Sequence, residues 1–158
     1  MVNLQKALPK STLVVIPLAT PILLGIYQEG RLIDTIESDQ KASESLLPIL
    51  DKLIKEYTIE KIIYANGPGS YMATKLSYIM LKSIEIIRGI PLYGCSAFEL
   101  NGNQPIKAMG NLYFIKVKED IITQKFESPI EQSYRLPISL DTLKPQIDSR
   151  PDYQLPAV

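Results

Sequence analysis

Apolar and polar positions along this chain change period several times, and the changes mark its elements. Residues 12–18 (TLVVIPL) and 22–27 (ILLGIY) are short apolar runs rich in β-branched side chains, and they predict two strands. Glu29 and Gly30 signal a turn, and 31–37 (RLIDTIE) predicts a third strand, more polar and therefore nearer an edge or a solvated face. These three form an antiparallel meander.

The period then becomes helical. Over 43–57 (SESLLPILDKLIKEY), Leu46, Leu50, Leu53 and Tyr57 recur on one face, and Leu47 and Ile54 widen the stripe. Pro48 is tolerated in a first turn, where its missing N–H has no partner, so the helix is expected to start near Ser45. Residues 60–65 (EKIIYA) predict a fourth strand. After a glycine-rich stretch, 71–88 predicts a second helix with Met72, Leu76, Ile79, Met80, Ile84 and Ile87 on one face, Lys75, Lys82 and Glu85 away from it, Gly89 as C-cap and Pro91 as stop. A fifth short strand follows at 91–95 (PLYGC).

The order β-β-β-α-β-α-β is, among α/β arrangements, that of the ribonuclease-H-like lobe used by actin, Hsp70 chaperones and sugar kinases. Residues 1–103 are assigned to that lobe, and 104–158 to a reduced second lobe. There, 112–118 and 121–127 predict a hairpin turning at Glu119 and Asp120. From Ser128 onward, Pro129, Pro137, Pro145, Pro151 and Pro156 predict an extended, partly ordered tail.

Composition narrows the chemistry. With 46% apolar residues the chain can bury a core, and 17 Lys and Arg against 17 Asp and Glu give no global field to attract a polyanion. It has no histidine, which removes the commonest general base at neutral pH and every Ser-His or Cys-His pair. Cys95 is its single cysteine, expected to be a buried small apolar residue in a reducing, cytoplasmic setting. The apolar stretch 13–26 is broken by Pro17 and Pro21, so neither a signal peptide nor a membrane span is expected.

The stretch 64–75 (YANGPGSYMATK) invites a phosphate-loop reading that its spacing fails. Counting from Gly69, the Gly-Lys-Ser/Thr positions fall on Thr74, Lys75 and Leu76, so only the lysine is present. A dinucleotide fingerprint through Gly67 and Gly69 needs glycine where Met72 stands. The residue chemistry instead predicts a structural loop, in which Gly67 and Gly69 supply backbone freedom, Pro68 stiffens the turn and Ser70 caps the helix.

Gly67-Pro68-Gly69-Ser70 with the aromatic Tyr71, then Lys75, Lys82, Gly89-Ile90-Pro91 and Gly94-Cys95-Ser96, resembles the central signature of the bacterial TsaB (YeaZ) family. That family makes threonylcarbamoyladenosine on tRNA next to the anticodon, as a non-catalytic partner. The resemblance is good over about 43–100 and nearly absent after 115. Two departures stand out: Met72-Ala73 replaces the family's Thr-Gly, and Pro17-Leu18-Ala19 replaces an Asp-Thr-Ser type segment at the end of the first strand. In related kinases and ATPases that aspartate organises magnesium and phosphates.

The resemblance implies a scaffold that pairs with a TsaD-like subunit, works with a TsaE-like ATPase and meets tRNA through the complex. It binds no cofactor itself; ATP and a divalent metal are handled by partners. It also implies that the two helices form the subunit interface. The candidate interface residues are Leu46, Ile49, Leu50, Leu53, Ala73, Leu76, Ser77, Ile79, Met80 and Ser83. Two alternatives stay open: a small kinase or ATPase of the same superfamily, with Asp34 and Glu37 as the nearest acidic magnesium ligands, and a structural homodimer built on the same helices.

Overall fold

Strand β1 (Lys10–Ile16) is buried at six of its seven positions, because both of its faces are covered. It is the middle strand of a mixed sheet of order β3-β2-β1-β4-β5 in the computed structural model, which describes residues 9–154. β1 pairs antiparallel with β2 (Ile22–Gln28), and β2 pairs antiparallel with β3 (Arg31–Ser38). On its other side β1 runs parallel to β4 (Thr58–Ala65), which runs parallel to β5 (Leu92–Cys95). Parallel neighbours need crossovers. These are α1 (Ala42–Glu56), between β3 and β4, and α2 (Tyr71–Arg88), between β4 and β5. The meander, both helices and the fifth strand thus lie where the hydrophobic periods put them, with β3 the mostly exposed edge.

Alternation along β1 divides the core. Leu13 and Val15 point to the helices, where they join Leu24, Ile26, Ile62, Leu46, Leu50, Leu53 and Leu81. Val14 and Ile16 point to the opposite face and pack with Tyr27, Ile63, Ala65 and Cys95. That second face is covered by the proline-punctuated segment, here called the strap, which inserts Leu136 and Leu143. The expectation of a partly ordered tail is corrected accordingly. The strap leaves the edge at β3, where the Leu32 N–H donates to the Ile138 carbonyl at 2.9 Å. It reaches the far edge at β5, where Gly94 and Gln146 exchange both backbone hydrogen bonds. Proline suits this path, because an extended segment crossing a sheet face needs few N–H donors.

Gly25 has a packing reason. A β-carbon there would lie 2.9 Å from Tyr27 Cε1 and 3.1 Å from Leu136 Cδ2, so the glycine makes the seat into which the strap leucine fits.

A second sheet, β6-β7-β8 (Ile106–Met109, Leu112–Val117, Asp120–Lys125), is antiparallel throughout. The hairpin is found, but its turn residues are Lys118 and Glu119, flanked by the Val117–Asp120 pair. Strand β6 was not expected, having only four residues. Phe114 and Ile106 join Phe98 and Ala97, on the short 3-10 turn after β5, in a third apolar cluster. Residues 1–8 and 155–158 of the two expected lobes, Pro156 included, lie outside the described residues.

Two helix details differ from expectation. α1 begins at Ala42, not near Ser45, so Pro48 lies inside the helix beyond its first turn. Its side chain faces solvent, where a missing N–H and a displaced carbonyl are cheapest to accommodate. In α2 the predicted apolar stripe is split: Met80 and Ile84 pack half-buried against the core beside the fully buried Thr74, Ser77 and Leu81, while Met72, Ile79 and Ile87 are exposed.

Candidate functional site

The glycine turn follows β4. The Asn66 N–H donates to the Cys95 carbonyl at 3.0 Å, and the Ala97 N–H donates to the Gly67 carbonyl at 2.9 Å, so the turn is tied to the end of β5. Gly67 has φ +118°, a conformation that disfavours any side chain, and its bond to Pro68 is cis. Ser70 caps α2 as expected, its hydroxyl accepting from the Ala73 N–H at 3.4 Å. Thr74 Oγ1 donates to the Ser70 carbonyl at 2.6 Å.

Protein fills the space beside both glycines. A β-carbon on Gly67 would lie 2.5 Å from the Asp152 carbonyl oxygen, and one on Gly69 would lie 3.3 Å from Leu18 Cδ2. Leu18 belongs to the second and third apolar clusters and stands on the segment where the kinase-like reading needs an aspartate. Backbone approach to a phosphate requires that space open and positive, whereas here it holds a leucine and the backbone of an acidic residue. Among the described residues, no group of three or more Cys, Asp or Glu side chains is placed to hold a metal ion.

Asp34 and Glu37 do not converge on the turn. Asp34 Oδ2 accepts from the Tyr57 hydroxyl at 3.0 Å, and Tyr57 caps the end of α1 just before β4 begins. The glycine turn lies past the other end of that eight-residue strand, about 23 Å away at the usual strand rise. Glu37 sits opposite Leu23 on the edge strand.

The candidate interface divides by burial. Leu46, Leu50, Leu53 and Ser77 are interior, at 0–3% exposure, and cannot also face a partner. For these four the expectation is corrected: their own sheet occupies them. Ile49 and Met80 are half-buried against the same core. Ala73 and Leu76 line a groove with Leu18, Ile22 and Ala42. Ile79 is half-exposed, and the Ser83 hydroxyl donates back to the Ile79 carbonyl at 2.7 Å.

What remains is one coherent surface on α2. Positions 72, 76, 79, 83 and 86 follow helical spacing and present Met72 (58% exposed), Leu76, Ile79 (49%), Ser83 and Ile86 (74%) along one line, with Ile87 beside it. This line lies opposite the buried Thr74-Ser77-Leu81 face, so α2 is apolar on both sides. Periodicity alone did not mark this inner face, because two of its members carry hydroxyls. Thr74 and Ser77 satisfy those hydroxyls on carbonyls one turn back, at 2.6 Å each, and so behave as small core residues.

Ile86, the most exposed member of the line, was missed; the repeat of spacings from Met72 was the signal for it. The outer face of α1 is different, since Asp51, Lys52, Lys55 and Glu56 pair there in solvent and leave Leu47 as its exposed large apolar side chain. Arg88 reaches Asp51 at 3.5 Å and links the helices.

The far end of α2 is fixed by polar contacts. Gly89 is the left-handed C-cap, and Glu85 binds Lys82 Nζ through one oxygen and accepts from the Leu92 N–H at 2.7 Å through the other. Lys82 first, then the Leu92 N–H, hold the Glu85 carboxyl below its ordinary value.

No family model matches this chain, and no curated protein matches it. Solved structures do. YeaZ from Pseudomonas aeruginosa is similar with a TM-score of 0.61 over 78% of this chain and 72% of its own, at 12% identity. An uncharacterised protein described as similar to peptidase YEAZ from Pseudomonas aeruginosa gives 0.57 over 77% and 71%, at 13% identity. At such identities the likeness is one of fold: this chain has the fold of YeaZ. No helix among the described residues is long and apolar enough to cross a membrane.

Proposed function

We propose that this chain is a divergent TsaB (YeaZ) family member, a non-catalytic scaffold subunit of the machinery that makes threonylcarbamoyladenosine on tRNA. The observation that carries the reading is the second apolar face of α2, along which Met72, Ile79 and Ile86 are exposed with Leu76 and Ser83 partly buried between them. Its occupant is the equivalent helical face of a TsaD-like subunit, packed at the close distances that Ala73 and Ser83 permit. The YeaZ fold and the motif run from Gly67 to Ser96 support the same choice. Strand order β3-β2-β1-β4-β5 with crossovers on one face agrees with a ribonuclease-H-like lobe. Leu18 and Asp152 beside the glycine turn support the reading that nucleotide and metal belong to the partner subunits, the TsaE-like ATPase among them; in this reading tRNA is met through the complex, in the cytoplasm.

The decisive experiment mixes the purified chain with the TsaD-like protein of the same organism and follows the complex by sedimentation. A heterodimer abolished by Ile79→Glu supports the reading. Exclusive self-association through the same face would replace it with the homodimer reading, and sustained ATP turnover by the isolated chain would replace it with the kinase reading.

A further inference from the structure

We propose that the end of the strap, residues 146–154, is a positioning element of the α2 docking face, clamping the first turn of the helix and adding Tyr153 to the surface a partner meets. This rests on the partner reading above.

The strap is tied down at successive points that lead to the helix N-terminus. Gly94 and Gln146 exchange hydrogen bonds of 3.0 and 2.7 Å at the β5 edge. The Tyr64 hydroxyl donates to the Ser149 carbonyl, and Asn66 Nδ2 donates to the Arg150 carbonyl at 2.9 Å. The Asp152 N–H then donates to the Asn66 carbonyl at 2.8 Å. From there Tyr153 lays its ring on Tyr71, centroid to centroid 4.7 Å, and Lys75 Nζ sits 5.8 Å from the centre of the Tyr71 ring.

Tyr71 is the first residue of α2 and is 41% exposed, directly before Met72 at the head of the apolar line. A helix N-terminus has no intrahelical bonds for its first N–H groups and frays unless something outside holds it. The aromatic pair is such a hold. The strap also accounts for the glycine motif, because φ +118° and an Asp152 carbonyl oxygen only 2.5 Å from where a β-carbon would stand make Gly67 the position over which the strap passes.

Tyr153→Ala and Tyr153→Phe separate this role from general stability, since the ring lies outside the three apolar clusters. Amide hydrogen exchange of residues 71–76 is measured in the free proteins, and affinity for the TsaD-like subunit in the mixed ones. Tyr153→Ala is expected to raise exchange in that turn and to weaken binding about tenfold at an unchanged melting temperature, and Tyr153→Phe to match the wild type. Unchanged exchange at 71–76, or undiminished affinity of Tyr153→Ala beside a wild-type chain that binds, overturns this proposal alone. A wild-type chain that does not bind overturns the partner reading and this proposal with it.

Discussion

Leu18 lies against Gly69: the leucine Cδ2 is 3.3 Å from where a β-carbon of that glycine would stand. The contact closes the corner between the first hairpin and the glycine turn with hydrocarbon. Leu18→Ala is expected to lower unfolding free energy in urea by about 1–3 kcal/mol, as for other packed leucines truncated at a partly open site. Titration of the wild type with magnesium and ATP is expected to release no heat of binding; saturable binding at this corner would contradict the closed geometry.

Ile86 and Leu81 face opposite ways on one helix, so the same substitution should have opposite consequences. Ile86→Glu puts a carboxylate in water and is expected to change stability by less than about 0.5 kcal/mol while abolishing partner association. Leu81→Glu buries that charge in the first cluster and is expected to cost more than about 4 kcal/mol, enough to unfold a marginal domain. Circular dichroism read beside sedimentation distinguishes the two.

Glycines 25 and 30 predict different penalties for an added methyl. Gly25→Ala collides with Tyr27, Leu32 and Leu136 at 2.9–3.1 Å and is expected to lose about 1–3 kcal/mol through a displaced strap. Gly30→Ala meets nothing within 4 Å but must hold φ +77°, and is expected to lose about 1 kcal/mol from backbone strain alone. Chemical denaturation of both variants checks the order.

Burial pushes the Cys95 thiol up to about 12, and burial likewise raises the Tyr27, Tyr64 and Tyr134 hydroxyls. A folded pKa above the unfolded one means that the native state keeps a proton the unfolded chain has lost. For the thiol, stability is full below its ordinary value near 9 and falls as pH rises from there toward 12, by about 1.4 kcal/mol per pH unit, and the tyrosines add a loss of the same sign only above their ordinary value near 10. Urea midpoints between pH 8 and 11 are expected to decline along that sign. A thiol reagent at pH 8 is expected to label Cys95 only as fast as the protein unfolds, since the side chain is 1% exposed.

The sequence by itself determined the order of strands and helices of the main sheet, the caps at Ser70 and Gly89, and the failure of the phosphate-loop spacing, because each depends on residues near one another in the chain. It also put β3 near an edge or a solvated face, since RLIDTIE has too few apolar positions for two covered faces. Tertiary structure decided the rest. Which side of α2 is inner depended on Thr74 and Ser77 turning their hydroxyls onto their own helix, so hydrophobicity alone did not mark them as interior. That a proline-rich segment forms the second cover of the sheet depended on Leu136 finding the space over Gly25, 111 positions earlier in the chain. Contacts at such separation leave no periodicity to read, and they decide here how the second face of the sheet is covered.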